Sequence, residues 1–432
     1  MRDTSELALS ELVEAGRVHR RVYTDPNVFE LEMERLFGRA WVFVGHHSQI
    51  PKAGDYYCTE IGRHPVILTR HDDGSIHVLV NRCTHRGAKV LNTRSGNARR
   101  FSCLYHGWTF APNGELTNVP VMDGAAKDFK TQDFGLAHAP RMGNYRGFIF
   151  ASMAEHGPSF EEHIGPIKGS IDDLVDRAPD GDIAFDAGMH RYIYHGNWKL
   201  QIENVLDSYH VPFSHASTVN RSGVQFSRRE GDSKGAKVVD GQNTSDSWKK
   251  RRSFTVGAGH GWTSNTELDD GKRSSPAYDA YKLALAARHG AERAAQILQP
   301  RLHNSLLYPN ASIMGLNIHV RVIKPLAPDL TEVNIFPVRL LGAPDEMNQR
   351  NIRLLNVTHS ASSFVQTDDL EAFTRVQQGL QSGCVDWVDI SRGLGAESDD
   401  PQTGGRQALA THEMVVRAQY SAWKNYLCGE VK

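Results

Sequence analysis

The stretch from Ile76 to Phe110, IHVLVNRCTHRGAKVLNTRSGNARRFSCLYHGWTF, decides the fold of the first third of the chain. Its ends, IHVLV and WTF, are short β-rich runs. Between them stand two pairs, Cys83-Thr-His85 and Cys103-Leu-Tyr-His106, with seventeen residues separating them. The flanking runs place each pair at the tip of a β-hairpin, the first after IHVLV and the second before WTF. Gly87 and Gly107 follow the pairs. They let the backbone approach a metal centre and turn N–H groups toward its sulfurs. Working outward, WVFV from Trp41, YYCTEI and PVILTR read as further strands, and Asp73-Gly74 and Asn113-Gly114 as hairpin turns. Residues 41–155 are therefore expected to form an antiparallel domain.

Two Cys and two His suit two kinds of centre. One zinc ion takes all four in a tetrahedron. A Rieske [2Fe–2S] cluster takes two Cys on one iron and two His on the other. Zinc fingers usually segregate a Cys pair from a His pair. Here each loop supplies one of each, which favours the Rieske cluster, with Cys83, His85, Cys103 and His106 as its ligands. Such a cluster sits at roughly −150 to +300 mV, poised to accept electrons from a low-potential ferredoxin. Trp108 is expected to shield it from water by packing.

A second constellation lies in NWKLQIENVLDSYHVPFSH, Asn197 to His215. Read as a helix, it puts Glu203, Asp207 and His210 on one face and Asn204, Asp207 and His210 in a second row. Pro212 then breaks the helix and His215 returns. Two His with one carboxylate and open positions make the facial triad of non-haem Fe(II) oxygenases. Asp207 comes too early to complete it, so the carboxylate must come from elsewhere. Thr367-Asp368-Asp369 offers two, at the start of a helix expected over 367–381 with Thr367 as its cap. Acids are ordinary at such a position, and satisfied core histidines are common, so these residues alone leave metal ligation open. Tyr209 reads as core packing, and Glu203 has no assigned role.

The remainder is organised around these two motifs. Residues 1–22 read as a polar helix or arm, followed by a helix from Pro26 to Gly38. Residues 156–185 look like a helical bridge. Residues 218–275 are polar, with Lys249 to Arg252 as a solvated basic run and a candidate flap over an active-site entrance. Ser275-Pro276 caps a helix to about Leu298. Three strands follow, SLLYPNASIM, NIHVRVIKPL and TEVNIFPVRL, then helices over about 345–361, 367–381 and 408–427. This second region is mixed α+β, an antiparallel sheet flanked by helices. The 432 residues suit two or three domains. With 49 basic and 50 acidic residues the net charge is −1, which argues against a cationic nucleic-acid binder. No apolar run reaches the roughly 18 residues of a membrane span, and the acid-bearing N-terminus lacks a signal-peptide core. Five scattered cysteines do not suggest a disulfide framework. The expected compartment is the cytoplasm.

Together, CTHRG, CLYHGW and NWKLQIENVLDSYHVPFSH resemble the large (alpha) subunit of Rieske non-haem iron aromatic-ring-hydroxylating oxygenases, over nearly the whole chain. The resemblance implies an α+β fold, with an antiparallel β Rieske domain inserted near a larger catalytic domain. Its expected boundaries are 1–40 for an N-terminal helical arm packing on the catalytic domain, 41–155 for the Rieske domain and 156–432 for the mononuclear iron domain. Cys83, His85, Cys103 and His106 match the cluster ligands, and His210 and His215 the iron-binding histidines. SFVQTDDLEAF matches the third-ligand segment, with the ligand placed at Asp369 and Asp368 as the alternative. By the same resemblance, Asp207 links an iron histidine to a Rieske histidine of the neighbouring subunit, and Asn204 is the amide near the iron's open side.

The implied activity is cis-dihydroxylation of an aromatic ring by O2. Electrons come from NAD(P)H through a reductase, with or without a ferredoxin. The assembly implied is a homotrimer or an alpha3beta3 complex with a small beta subunit. A benzoate-type acid is the favoured substrate, and it needs a buried cation, Arg321 or Arg417. Val211, Phe213, Met314, Leu316 and Phe364 are candidate apolar lining. The competing readings are a Rieske monooxygenase or demethylase, a zinc-stabilised interaction protein without turnover, and a bare electron carrier.

Overall fold

The computed structural model describes residues 8–124, 126–215, 251–264, 275–299, 302–315 and 317–429, without the side chains of 302 and 303. It divides into two units, residues 33–160 and residues 1–32 with 161–430. Residues 33–40 thus group with the β-domain, so the N-terminal arm ends at 32, not 40. Nor are residues 1–22 a polar helix where they are described. β1 (Val13–Glu14) and β2 (Arg17–His19) form a hairpin. Val13 opposes Val18 in it, and both are buried. β-Branched residues packed across a pair favour strand over helix. α1 (Arg21–Thr24) and α2 (Pro26–Leu31) follow. Asp25 caps α2 by accepting from Asn27 N at 2.9 Å, and a π-helical stretch continues over Glu32–Phe37.

The unit of residues 33–160 holds β3 (Val42–His46), β4 (Asp55–Ile61), β5 (His64–Arg70), β6 (Ile76–Val80), β7 (Ser95–Asn97), β8 (Phe101–Ser102), β9 (Thr109–Phe110), β10 (Leu116–Asn118), β11 (Arg141–Tyr145) and β12 (Phe148–Ser152). They form three antiparallel sheets, ordered β6-β5-β4-β7, β10-β9-β8 and β11-β12-β3. One core of Tyr56, Ile67, Leu79, Val90, Phe101 and Phe110 also takes in Cys83 and Cys103. The Cys103 loop is the β8–β9 hairpin. The Cys83 loop is not a hairpin tip, because β6 and β7 lie at opposite edges of their sheet.

The larger unit continues with α3 (Phe160–Ile164), α4 (Lys168–Asp176), β13 (Ile183–Ala184), β14 (His190–Tyr194), α5 (Trp198–Leu206), α6 (Val211–Ser214), β15 (Arg252–Val256) and β16 (His260–Ser264). After it come α7 (Pro276–His289), α8 (Ala291–Leu298), β17 (Leu302–Leu307), β18 (Ala311–Met314), β19 (His319–Ala327), β20 (Leu330–Pro337), β21 (Arg339–Leu340), α9 (Asp345–His359), α10 (Gln366–Leu380), β22 (Trp387–Asp389), β23 (Ser398–Asp399), β24 (Arg406–Leu409) and α11 (Met414–Cys428). A nine-stranded antiparallel sheet runs β14-β20-β19-β18-β17-β16-β15-β24-β23. β22 completes the N-terminal hairpin by pairing with β2.

Several sequence readings change here. SLLYPNASIM is two strands, β17 and β18, turning around Tyr308-Pro309. The helix after Ser275 splits at Gly290, whose φ is +81°. Residues 406–409 join the sheet before α11 begins. Of the polar 218–275 region, residues 251–264 form the β15–β16 hairpin, and Arg251 is buried, not solvated. Lys249, Lys250 and most of the proposed flap lie outside the described residues.

A buried polar layer ties the N-terminal segment to α5 and α11. Glu32 accepts from Trp198 Nε1 at 2.8 Å, Trp423 Nε1 at 2.6 Å and Lys199 Nζ at 2.5 Å. A buried charge is tolerated only with such full pairing. Nearby, Glu203 accepts from Tyr23 OH at 3.0 Å and Tyr420 OH at 2.5 Å. Burial pushes the Glu203 carboxyl up to about 7, against the opposing effect of the two tyrosine hydrogen bonds. Unfolded, it titrates near its ordinary 4.5. Between those values the folded state holds a proton the unfolded chain has lost. This contribution to stability is full below pH 4.5 and is lost as pH rises through 7. Glu203→Gln is expected to abolish up to about 3 kcal/mol of that loss. Thermal unfolding of both proteins from pH 5 to 8 checks this. The variant's stability relative to wild type should climb with pH, and a constant offset would refute the assignment.

Candidate metal centres

The two Cys-His loops share one backbone design. Cys83 N donates to Ala88 O at 2.8 Å and Gly87 N to Cys83 O at 2.9 Å. In the second loop Cys103 N donates to Trp108 O at 2.8 Å and Gly107 N to Cys103 O at 3.0 Å. Gly87 and Gly107 close these turns at φ +78° and +72°, values that disfavour any side chain. Burial raises the Cys83 thiol, and the backbone N–H groups of His85 and Arg86 and the adjacent Cys103 thiol also act on it. Those N–H groups form a small anion-binding nest for a thiolate. The imidazoles of His85 and His106 stand with ring centroids 4.6 Å apart. Trp108 stacks on His85 at 4.7 Å, and Phe129 and Phe134 meet the Trp108 ring edge-on.

This arrangement discriminates between the two centres. One tetrahedral zinc would draw its ligand atoms within about 4 Å of one another. No three of the four ligand atoms of these described residues come within 4.8 Å of each other. The thiols pair and the imidazoles pair separately, as two irons require. The residues therefore fit a [2Fe–2S] cluster, in which Cys83 and Cys103 would hold one iron and His85 and His106 the other. The sequence reading missed Asn81. It is fully buried, and its Oδ1 accepts from Val90 N at 3.0 Å and Leu91 N at 2.9 Å. It fixes the far side of the first loop, and its place two residues before Cys83 was the only available signal.

The second centre sits where α5 ends. Asn197 starts the helix by accepting from Lys199 N at 3.1 Å. The helix stops at Leu206, earlier than its pattern suggests, and Asp207 is extended at φ −81° and ψ 117°. Its side chain competes with the helix: Oδ1 accepts from Tyr209 N at 2.5 Å and Oδ2 from His210 N at 3.3 Å. Asp207 and His210 therefore do not share a helical face. Pro212 does not break the helix but lies in the first turn of α6. Tyr209 is not core packing either; it is exposed, with the Arg392 guanidinium 3.9 Å over its ring.

His210, His215 and Asp369 converge, their ligand atoms all within 4.8 Å. Asp369 Oδ1 lies 3.6 Å from His210 Nε2 and 3.3 Å from His215 Nε2. Each imidazole has a carboxylate on its other nitrogen. Asp207 Oδ2 is 3.1 Å from His210 Nδ1, and Asp368 Oδ2 is 3.3 Å from His215 Nδ1. A carboxylate there keeps the proton on Nδ1 and leaves Nε2 free to ligate. The geometry thus sorts the acidic pair, with Asp369 in the converging set and Asp368 behind His215. Thr367 does not cap α10, since its hydroxyl donates to Ser363 O at 2.6 Å. Asn204 Nδ2 lies 3.2 Å from His210 Nε2 and 3.0 Å from Asp369 Oδ1, against two of the three. Burial alone would raise Asp369, but His215, His210 and Arg321 together hold it below its ordinary value. Two imidazoles and one carboxylate on one side of a point fit a ferrous ion with open positions.

Around this centre the candidate lining divides. Met314 is buried, Val211 is half-buried, Phe213 and Phe364 stand exposed, and Leu316 lies outside the described residues. Of the two candidate cations, Arg417 is already occupied by the carbonyls of Ile390 and Arg392 and the carboxylate of Glu397. Arg321 is 2% exposed, and its Nε has no hydrogen-bond partner. Its Nη2 donates to Gln366 Oε1 at 3.2 Å, one turn of α10 before Asp369.

Residues 40–133 match the family model of the Rieske [2Fe-2S] domain, and residues 182–426 that of the ring hydroxylating alpha subunit (catalytic domain). The 2-halobenzoate 1,2-dioxygenase large subunit of Burkholderia cepacia is 34% identical, the alignment covering 90% of this chain and 83% of that one. The anthranilate 1,2-dioxygenase large subunit of Acinetobacter baylyi is 32% identical over 95% of this chain and 89% of that one. A solved structure of naphthalene 1,2-dioxygenase with indole bound in the active site superposes with a TM-score of 0.83 at 24% identity, covering 96% of this chain and 93% of that one.

Proposed function

The chain belongs to the ring-hydroxylating alpha-subunit family, and from that premise we propose that it cis-dihydroxylates an aromatic carboxylate. It is a Rieske-type dioxygenase large subunit, and its family works with a reductase and ferredoxin on aromatic substrates and O2. The finer reading is carried by one observation, the buried Arg321 beside the metal triad. A cation in such a place calls for an anion, and both relatives described above are named for benzoate-type acids.

When bound, the cluster and the ferrous ion supply electron transfer and dioxygen activation. The chain's own part is positional. His210, His215 and Asp369 would hold the ion, as three ligand atoms that converge from one carboxylate and two imidazoles. Asp207 and Asp368 keep the protons of His210 and His215 on Nδ1. Arg321, held by Gln366, takes the substrate carboxylate and so sets which ring edge faces the open side. Met314 and the surrounding apolar face exclude water. Electrons arrive from NAD(P)H, and the favoured assembly is a trimer of this chain, with or without a beta subunit. No described helix is long and apolar enough to cross a membrane. The cytoplasm remains the favoured compartment, in keeping with five free cysteines and a nicotinamide electron supply.

The reading is tested by product analysis with benzoates and with neutral benzenes under NAD(P)H and a reductase. Cis-diols from the acids alone support it, and cis-diols from neutral rings alone overturn the carboxylate assignment. Asp207 is open to a separate test as the bridge to the neighbouring subunit's cluster. Asp207→Ala is expected to keep both metals and the visible spectrum while cutting coupled turnover by about 10- to 100-fold or more. Metal analysis beside O2 uptake checks it, and a variant that loses iron would reduce Asp207 to a support for His210.

A further inference from the structure

The sheet face that carries Arg321 also carries an acceptor with no assigned use. In antiparallel pairs, directly opposed residues point to the same face. Thr263 opposes Asn304, Asn304 opposes Met314, and Met314 opposes His319. Asn304 Nδ2 donates to Val205 O at 3.0 Å, so this row faces α5. Ser312 and Arg321 oppose each other in the next row of the same face.

His319 is 0% exposed. Its Nδ1 lies 3.1 Å from the Asn317 carbonyl oxygen. A carbonyl only accepts, so Nδ1 carries the proton. Burial, with Arg321 close by, holds the imidazole well below its ordinary range and therefore neutral. Nε2 is then a lone pair, and it has no hydrogen-bond partner. Two residues along the strand, Arg321 Nε is a buried donor without a partner. Ser312 Oγ and Gln366 Nε2 are unpartnered and fully buried on either side. Buried polar atoms cost free energy unless something satisfies them. Donors at Arg321 and Gln366 suit a carboxylate. A bare acceptor at His319 does not; it suits an N–H or O–H.

We propose that His319 Nε2 is a specificity-determining acceptor, and that the substrate is an aromatic carboxylate bearing an amino or hydroxyl group that donates to it. The proposal rests on the reading of Arg321 as the carboxylate's partner. It predicts discrimination against acids that carry a methyl in the donor's place, because such a ligand leaves the buried His319 lone pair unpaired where a donor would satisfy it.

Calorimetric binding to the holoenzyme tests this with benzoate and the ortho and meta isomers of amino-, hydroxy- and methylbenzoate. At least one amino or hydroxy acid should bind about 10-fold or more tightly than its methyl counterpart. His319→Leu should shrink that ratio to within about 2-fold while leaving benzoate affinity nearly unchanged, and His319→Gln, which keeps an acceptor, should restore part of it. Equal binding of donor and methyl acids at both positions by the wild type overturns the proposal without any variant. So does a preference that survives His319→Leu. If neutral rings bind as tightly as acids, the Arg321 reading fails instead, and phenol and aniline against toluene then decide the acceptor alone.

Discussion

His210→Ala is expected to carry about two irons per chain where the wild type carries about three, with about two acid-labile sulfides and the red-brown spectrum retained in both. The expectation follows from how separately the two candidate centres are built. The four Cys-His residues hang on the β6 and β8–β9 loops, with Cys83 and Cys103 packed in that unit's own core and His85 and His106 exposed at the loop tips. His210 stands at the start of α6, as its N-cap residue, and its ring nitrogens face Asp207 on one side and Asp369 on the other. Removing it deletes one of three converging atoms and leaves Asp369 buried with a single imidazole. Turnover should fall by more than about 100-fold, beyond the loss from an outer partner alone. Anaerobic metal and sulfide analysis with a visible spectrum checks the result. Three irons in the variant would remove His210 from the metal site. Zinc without sulfide in the wild type would leave the interaction protein as the surviving reading. Two irons in both proteins would leave an electron carrier.

How much of this was legible beforehand depends on the range over which each feature is encoded. The Cys-His loops are encoded within a few residues, so spacing and the following glycine display them directly. The triad is only half local. His210 and His215 lie five apart, but nothing near them names Asp369, and nothing near the acidic pair says which carboxylate turns inward. That choice is made by the packing of α10 against α6 and β14. The end of α5 was misjudged because side-chain bonds from Asp207 to Tyr209 N and His210 N outcompete a helical pattern that runs on unbroken in the sequence. The N-terminal hairpin was misjudged because its third strand, β22, comes from near the other end of the chain. Strand alternation alone could not decide whether Arg321 faces solvent or the interior, because both faces of the first half of β19 are buried.

Replacing Arg321 with leucine is expected to cut kcat/KM for an aromatic acid by about 100- to 1,000-fold, the usual range for losing one member of a buried, hydrogen-bonded charge pair. Turnover of a neutral ring should fall little or rise. The stability change should run the opposite way to the activity change. In the substrate-free protein the guanidinium is buried, and its Nη2 donates to the Gln366 amide oxygen. An apolar side chain of similar volume removes that desolvation cost, and His215 and His210 still compensate the Asp369 carboxylate that Arg321 also attracts. The variant should therefore melt at the wild-type temperature or above it. Added benzoate should raise the melting temperature of the wild type, in proportion to the logarithm of its concentration once sites are filled, and leave the variant unmoved. A merely structural arginine gives the reverse pattern, a lower melting temperature and a loss shared equally by acidic and neutral substrates. Only a counter-ion for the substrate carboxylate joins selective loss of the acid to unchanged or improved stability. Product analysis on one acid and one neutral ring, beside thermal melts with and without benzoate, separates the two cases.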